Sequence, residues 1–278
     1  MTPQPWDRWE DPRRVLARHG LRPSRRHSQN FLTSKSVVED IAAAVLEEAS
    51  PGCEVLEIGP GVGTLSAELV RRGARVTAIE KDPRMLQLLE KEFGELDALR
   101  VVSGDAVALR IDAWIPVPGR VAGNLPYAIT GVILRRLVEQ RRCVQRAALM
   151  VQREVRDRLT AAPGTKAYGA PTVFVQNVYE VADVCSVPPG AFHPPPKVHS
   201  SVIVLRPRHA PRAKDDTTFT QLVRAAFGQR RKTLRNALRA AFDRERVEAA
   251  LARCGIDGGR RGETLTVEEF GALGAALR

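Results

Sequence analysis

Two hydrophobic rhythms alternate through the first two hundred residues, and only one continues afterwards. From Ser36 the apolar positions Val37, Ile41, Val45 and Leu46 recur at helical spacing, and the pattern stops near Pro51-Gly52. Residues 53–58 (CEVLEI) then read as a strand and 64–72 as a helix, and 74–79 (ARVTAI) and 83–93 repeat the pair. Residues 99–103, 120–123 and 147–151 read as further strands, with helices near 130–141 and 152–161. Short β-branched runs separated by about 10–15 helical residues predict βαβ units, hence an α/β fold whose mostly parallel sheet carries helices on both faces. Residues 178–187 and 200–205 read as two more strands with no helix between them, only the proline-rich loop VPPGAFHPPPKVH. They predict an antiparallel hairpin that closes the sheet.

After Leu205 the strand rhythm disappears. Residues 206–216 form a polar, proline-containing linker, and helical patterns follow around 219–227, 232–242, 244–254 and 267–277. Thr266 and Glu269 stand in the T-x-x-E arrangement of a capping box. The reading divides the chain into a basic arm (1–30), an α/β domain (31–208) and a small helical domain (209–278). The arm is expected to be mostly irregular, because its arginines (8, 13, 14, 18, 22, 25 and 26) follow no sustained helical period.

Composition narrows the functional classes. The chain of 278 residues is 44% hydrophobic and 27% charged, within the range of folded globular proteins, and its formal net charge of +11 favours a polyanionic partner. No apolar run approaches the ~18 residues of a spanning helix, which favours nucleic acid over membrane. The N-terminal residues mix arginine with Asp7, Glu10 and Asp11 and lack an apolar segment, so no secretory signal is expected. Cys53, Cys143, Cys185 and Cys254 stand singly, without C-x-x-C or nearby paired histidines. That spacing predicts neither a zinc site nor a disulfide framework, and it fits a cytoplasmic protein.

The candidate chemistry lies at the ends of the predicted strands. The first runs into Gly59-Pro60-Gly61-Val62-Gly63, and a helix follows at once. Glycines there permit a tight turn and a close approach of ligand to backbone, and the carboxyl end of a parallel strand is where a nucleotide-like ligand is expected. The G-x-G-x-G spacing differs from the G-x-G-x-x-G of pyrophosphate-binding folds, which disfavours a nicotinamide oxidoreductase. Glu80, about twenty residues on at the second strand's end, can accept both hydroxyls of a ribose. Asp105, after the third strand, can accept from an exocyclic amine of adenine. The fourth strand ends in Asn124-Leu125-Pro126-Tyr127. Here an amide oxygen and a backbone carbonyl are held by a proline-fixed turn, as two acceptors for one NH₂ group, and the tyrosine offers a ring for stacking a base.

Those residues resemble the class I S-adenosylmethionine-dependent methyltransferases that act on adenine N6. Four further strings narrow the resemblance to the 16S rRNA adenine N6,N6-dimethyltransferase family. They are Gln29-Asn30-Phe31-Leu32, the pair Gln152-Arg153-Glu154-Val155 and Lys166-Ala167-Tyr168-Gly169, then Phe192-His193-Pro194-Pro195-Pro196-Lys197-Val198, and Gln229-Arg230-Arg231-Lys232-Thr233-Leu234-Arg235-Asn236. The resemblance runs from about residue 25 to 277. The large-subunit rRNA methyltransferases of macrolide resistance share the core, but K-A-Y-G and Q-R-R-K-T-L-R-N fit the small-subunit type better. A non-catalytic assembly factor on the same fold would show an eroded glycine loop or N-L-P-Y, and both are intact.

The resemblance implies a Rossmann-like sheet with a helical C-terminal domain. It implies S-adenosyl-L-methionine as cofactor, lined by Asn30, Leu32, Gly59, Gly61, Glu80, Asp105 and Asn124. The implied product is two adjacent dimethylated adenosines in the 3′-terminal hairpin loop of 16S rRNA within the small ribosomal subunit. Asn124, Tyr127 and Phe192 are the expected catalytic residues, the two rings taking opposite faces of the target base. Arg231, Lys232 and Arg235 are expected to bind RNA, within a basic run with no acid from Thr220 to Ala240. A monomer without metal is expected. One departure stands out: the family has glycine just before Q-N-F-L, where this chain has Ser28.

Overall fold

The computed structural model describes residues 7–24, 26–108, 110–214, 216–229 and 231–278. The chain opens with α1 (Pro12–Arg18), β1 (Phe31–Leu32) and α2 (Lys35–Leu46). β2 (Glu54–Ile58), α3 (Thr64–Arg71), β3 (Arg75–Glu80), α4 (Pro83–Phe93), β4 (Leu99–Ser103) and β5 (Gly119–Asn124) follow. Next come α5 (Thr130–Glu139), β6 (Val144–Gln152), α6 (Arg153–Leu159), α7 (Ala170–Val178), β7 (Tyr179–Val187), β8 (Phe192–His193) and β9 (Ser200–Pro207). Four helices end the chain: α8 (Thr217–Gly228), α9 (Leu234–Leu238), α10 (Arg244–Cys254) and α11 (Val267–Ala276).

Seven strands form one sheet in the order β4-β3-β2-β5-β6-β9-β7. The first five run parallel and β9 is antiparallel to β6. The expected closing pair is present, but β9 enters between β6 and β7 and leaves β7 at the edge. Val55, Val76, Ala78, Ala122, Ala148, Met150, Val202 and Val204 point from alternate positions into one core with residues of α1, α2, α3 and α4. Their neighbours Leu56, Ile58, Ile79, Val121, Leu149 and Ile203 point the other way and are equally buried, so both faces of the sheet are covered. Chain order reverses across β2: β3 and β4 extend to one side and β5 and β6 to the other. A crevice at the carboxyl ends of the strands is expected at such a switch point.

Two arginines brace the sheet from beneath. Arg120 on β5 donates through Nη1 to the carbonyls of Val45 (2.5 Å) and Glu47 (2.9 Å), and Arg146 on β6 reaches the Ala44 carbonyl and the Glu47 carboxylate. They satisfy the last carbonyls of α2, which has no basic residue of its own in its final turn.

The N-terminal arm is more ordered than its composition implies. Asp11 caps α1 with Pro12 in its first turn, and Val15 and Leu16 are buried in the core around α4. Arg18 and His19 then clasp Glu92 of α4, with contacts of 2.6–3.1 Å. Arginine density masked a seven-residue helix whose apolar face is only two side chains wide.

The chain separates into two compact units, 1–156 with 182–207, and 157–181 with 208–278. The second differs from the contiguous helical domain read from the sequence, because α7 and the loop before it share its core. Tyr168 and Val173 are buried among Phe219, Leu222, Leu234, Leu238, Val247, Leu251, Phe270 and Leu273. Phe174 meets Phe219 edge-on at 6.2 Å, and the Gly164 N–H donates to the Glu263 carbonyl at 2.7 Å. Helix α7 itself was unforeseen.

Candidate active site

A cavity of about 320 Å³ opens at the carboxyl ends of β2, β3, β4 and β5, lined also by residues 26–30 of the arm and by β1. Its volume lies within the ~300–1,000 Å³ of small-molecule sites. Ladder bonds continue past the strand ends, from Gly59 N to Ile79 O (3.0 Å) and from Gly104 N to Glu80 O (2.9 Å). The tips of these strands are therefore held in register, and with them Gly59, Glu80 and Asp105, while Asn124 is held by its pairing with Met150 of β6.

In the glycine loop Gly61 and Gly63 do different work. Gly61 has φ +59°, its N–H donates to Glu80 Oε2 at 3.2 Å, and a Cβ there would lie 2.9 Å from the Phe31 ring. Side chains are thus excluded where the arm and the loop meet. Gly63 (φ +84°) serves packing: a Cβ would stand 2.4 Å from Phe93 of α4.

Glu80 is 8% exposed. Oε1 accepts from the N–H groups of Lys81 and Asp82, both at 2.8 Å, and Oε2 from Gly61, which aims the carboxylate while leaving lone pairs for a diol. Burial raises its pKa above the ordinary value, against those three backbone bonds. Asp105 accepts from the Val107 N–H at 3.0 Å, as a turn cap does, and from Lys81 Nζ at 2.6 Å. The Lys81 bond is the main reason its carboxyl lies below the usual range.

Asn124, the last residue of β5, presents its side-chain amide at the cavity. Its Nδ2 donates to the Asn30 carbonyl at 2.8 Å. A carbonyl can only accept, so the orientation of this amide is fixed by chemistry: Oδ1 is the end left for a ligand. The following Leu125 N–H pairs with the Met150 carbonyl at 3.3 Å, which anchors the N-L-P-Y turn to β6. Tyr127 also lines the cavity, and its hydroxyl shares a 2.7 Å hydrogen bond with Ser200 Oγ, holding the ring by its far end. Burial raises its pKa as well.

The family model for ribosomal RNA adenine dimethylase matches residues 21–275. The chain belongs to that family. A protein of Myxococcus xanthus named ribosomal RNA small subunit methyltransferase A is 44% identical over 96% of this chain and 95% of its own length. One of the same name from Moorella thermoacetica is 42% identical over 96% and 98%. Among solved structures, a dimethyladenosine transferase from Plasmodium falciparum superposes with a TM-score of 0.76 at 26% identity, covering 87% of this chain and 95% of that one. The 23S rRNA methyltransferase ErmE gives 0.68 at 29%, over 89% and 99%. The fold is thus that of class I methyltransferases, and the family's cofactor is S-adenosyl-L-methionine.

The cavity brings together all seven residues assigned to the cofactor, Asn30, Leu32, Gly59, Gly61, Glu80, Asp105 and Asn124, and also Tyr127. Phe192 stands apart. It is 4% exposed, packed in the core, and does not line the cavity; its link to the site is the β1–β8 pairing, in which Leu32 faces Phe192. Arg231, Lys232 and Arg235 belong to the second unit and are exposed. Arg231 precedes α9 instead of sharing its face with Arg235, and Arg235 is ion-paired with Glu248 at 2.9 Å. Arg25 and Arg230, part of the basic segments read from the sequence, lie outside the described residues.

Sequence reasoning passed over Glu57. It lines the cavity, is 1% exposed, and accepts from Ser66 Oγ at 2.5 Å. Burial pushes its carboxyl up to about 7, with the charge of Glu80 adding to the effect. The signal was a carboxylate alone in an apolar strand, VLEI. Ser28 is the other surprise. At φ +50° it takes the left-handed conformation that explains the family's glycine, at a cost of roughly 1–2 kcal/mol for an L side chain.

Proposed function

We propose that the protein dimethylates N6 of two adjacent adenosines in the 3′-terminal hairpin loop of 16S rRNA within the small ribosomal subunit. The observation that carries this reading is the Asn124 amide, whose nitrogen is anchored so that its oxygen is the free acceptor beside Tyr127. The cavity fits S-adenosyl-L-methionine: Glu80 is poised to accept from a ribose diol, Asp105 from an adenine amine, and the loop at Gly59 and Gly61 leaves room for close backbone approach. When bound, that cofactor supplies an electrophilic methyl group.

The lone pair of an exocyclic adenine nitrogen is delocalised into the ring, so the base is a poor nucleophile. Asn124 Oδ1 and the backbone carbonyl of the following turn accept its two protons, localising the lone pair and directing it. Such positioning is worth up to about 7–11 kcal/mol in favourable cases. A dedicated base is not needed, because the proton can leave after transfer. The target base has to leave its stack, at a cost of a few kcal/mol that is least in a loop. Tyr127 takes one face of it. Phe192, the residue expected on the other face, is packed in the core and contributes through the β1–β8 pairing beside Leu32. Arg231, Lys232 and Arg235 track phosphates of the subunit RNA. Among the described residues no cluster of three or more His, Cys, Asp or Glu could hold a metal, and no helix is long and apolar enough to cross a membrane.

The test is mass spectrometry of small-subunit rRNA lacking the modification, incubated with enzyme and S-adenosyl-L-methionine. Two dimethylated adenosines in the terminal hairpin are expected with the wild type and none with Asn124→Ala. Methylation elsewhere, or full turnover by Asn124→Ala, overturns the reading.

A further inference from the structure

Gln29 makes one hydrogen bond at each end of its side-chain amide. Oε1 accepts from the Ser24 N–H at 2.8 Å and Nε2 donates to Asp82 Oδ2 at 2.9 Å, while the Gln29 N–H returns to the Ser24 carbonyl at 3.2 Å. The arm is thus pinched into a closed turn and pinned to one carboxylate. That carboxylate is rigid: Asp82 is 1% exposed, caps α4 through the Arg84 N–H, and is paired with the Arg84 guanidinium at 2.6 Å. Its own N–H donates to Glu80 Oε1. The arm is therefore anchored on the same turn that presents the ribose-binding carboxylate.

One residue further on, the Asn30 carbonyl receives the Asn124 amide. Consecutive Cα atoms are about 3.8 Å apart, so a slack Gln29 moves that carbonyl directly. The terminal torsion of asparagine is broad and nearly two-fold. Without a fixed acceptor at Asn30, the amide of Asn124 can turn over and present N–H groups, which repel the protons of N6. Ser28, between the two anchors and left-handed, is part of the same constrained turn.

We propose that Gln29 is a positioning residue for methyl transfer: its clasp on Asp82 holds the Asn30 carbonyl, which turns the Asn124 amide so that Oδ1 meets the attacking nitrogen. This rests on the reading of Asn124 given above. The anchoring of Gln29 beside the ribose-binding carboxylate and the orientation of the acceptor are then parts of one arrangement.

The experiment compares Gln29→Ala, Gln29→Glu and the pair Gln29→Glu/Asp82→Asn. Turnover is measured on unmodified small subunits at saturating S-adenosyl-L-methionine, cofactor affinity by calorimetry, and the side-chain amide of Asn124 by ¹⁵N NMR. Gln29→Ala lowers kcat about ten- to a hundredfold and shifts the Asn124 amide signal, as expected when a reacting group is misplaced by an ångström or less. Gln29→Glu is equally impaired, because two carboxylates then face each other without a donor. In the pair, the carboxylate at 29 accepts from both the Ser24 N–H and the new amide at 82, but Arg84 loses the oxygen it shared with Gln29, so kcat recovers about tenfold over Gln29→Glu without reaching wild type. An unchanged kcat in Gln29→Ala, or a loss confined to cofactor affinity with kcat and the amide signal intact, overturns the proposal. Full turnover by Asn124→Ala brings down the reading beneath it instead, while an inactive Asn124→Ala beside an indifferent Gln29→Ala sinks the clasp alone.

Discussion

Glu57→Gln makes the burial of one carboxyl measurable. The folded protein lifts this group from 4.5 to about 7, with burial as the main cause and the Ser66 hydroxyl opposing it. The folded state therefore holds this proton more tightly than the unfolded chain. The stabilisation is complete below pH 4.5, shrinks as pH rises through the interval to 7, and is gone above it. At ~1.4 kcal/mol for each tenfold difference in proton affinity, the whole effect is about 3 kcal/mol. A glutamine stays neutral throughout and still accepts from Ser66, so only the titration is removed. Urea unfolding of wild type and variant at pH 5 and pH 8 reads the difference, because burial of Glu57 is the main contribution that the two proteins do not share. The two proteins should be close at pH 5, and the variant should be the more stable by up to about 3 kcal/mol at pH 8. A gap that stays constant between the two pH values would refute the argument and place Glu57 in contact with water.

Glu80→Ala removes the aimed carboxylate and should weaken S-adenosyl-L-methionine by one or two charge-assisted hydrogen bonds, ~1.5–3 kcal/mol each, in calorimetry; unchanged affinity in a folded variant contradicts the ribose assignment. Tyr127→Ala should lower turnover on RNA roughly ten- to a hundredfold at nearly intact cofactor affinity, since base–aromatic stacking is worth ~1–3 kcal/mol. Tyr127→Phe, losing only the Ser200 bond, should keep most of it, and a wild-type rate for the alanine variant makes the ring structural. Arg231→Glu with Lys232→Glu should leave the melting temperature unchanged, both being exposed. It should also lower the salt slope of subunit binding by about 0.7–0.9 per lost phosphate contact, whereas an unaltered slope assigns the two to a solvated surface. Ser28→Gly relieves the left-handed strain but adds unfolded-state freedom, for a net gain within about 1 kcal/mol by denaturation; a loss of stability would show that the serine side chain has a role of its own.

The parts of the molecule legible in the sequence are those with strong punctuation. Helix α4 begins at Asp82-Pro83 and α11 at a capping box, and both were placed within a residue. The strand ends that carry Gly59, Glu80, Asp105 and Asn124 were equally plain, because each β-branched run stops at a glycine or at a polar residue. Helix α7 was lost because Thr172, Val173 and Val175 favour extended backbone, and the helix passes into β7 at Tyr179 without a breaker. Buried neighbours on the far side of α7 overrule that preference, and local sequence does not display them. The 232–242 helix was overestimated: only Leu234–Leu238 is helical, since its amphipathic spacing is shared by the turns at either end. Nothing local announces that Gln29 meets Asp82, 53 positions away. Nor does anything local say that Phe192 lies inward, because proline-flanked aromatics occur on both surfaces and cores.

The interleaving of the two compact units also bears on how the chain can be divided. The chain passes between them at 156–157, 181–182 and 207–208, so no single cut separates one from the other. A fragment ending at 208 keeps Tyr168, Val173 and Phe174 but discards Phe219, Phe227 and Phe270, turning packed aromatics into a bare adhesive patch. A transplanted tail starting at 209 arrives without α7 and with the same hole in its core. Any attempt to exchange the helical unit has to carry two stretches of sequence together, and the exchange runs through three seams rather than a single joint.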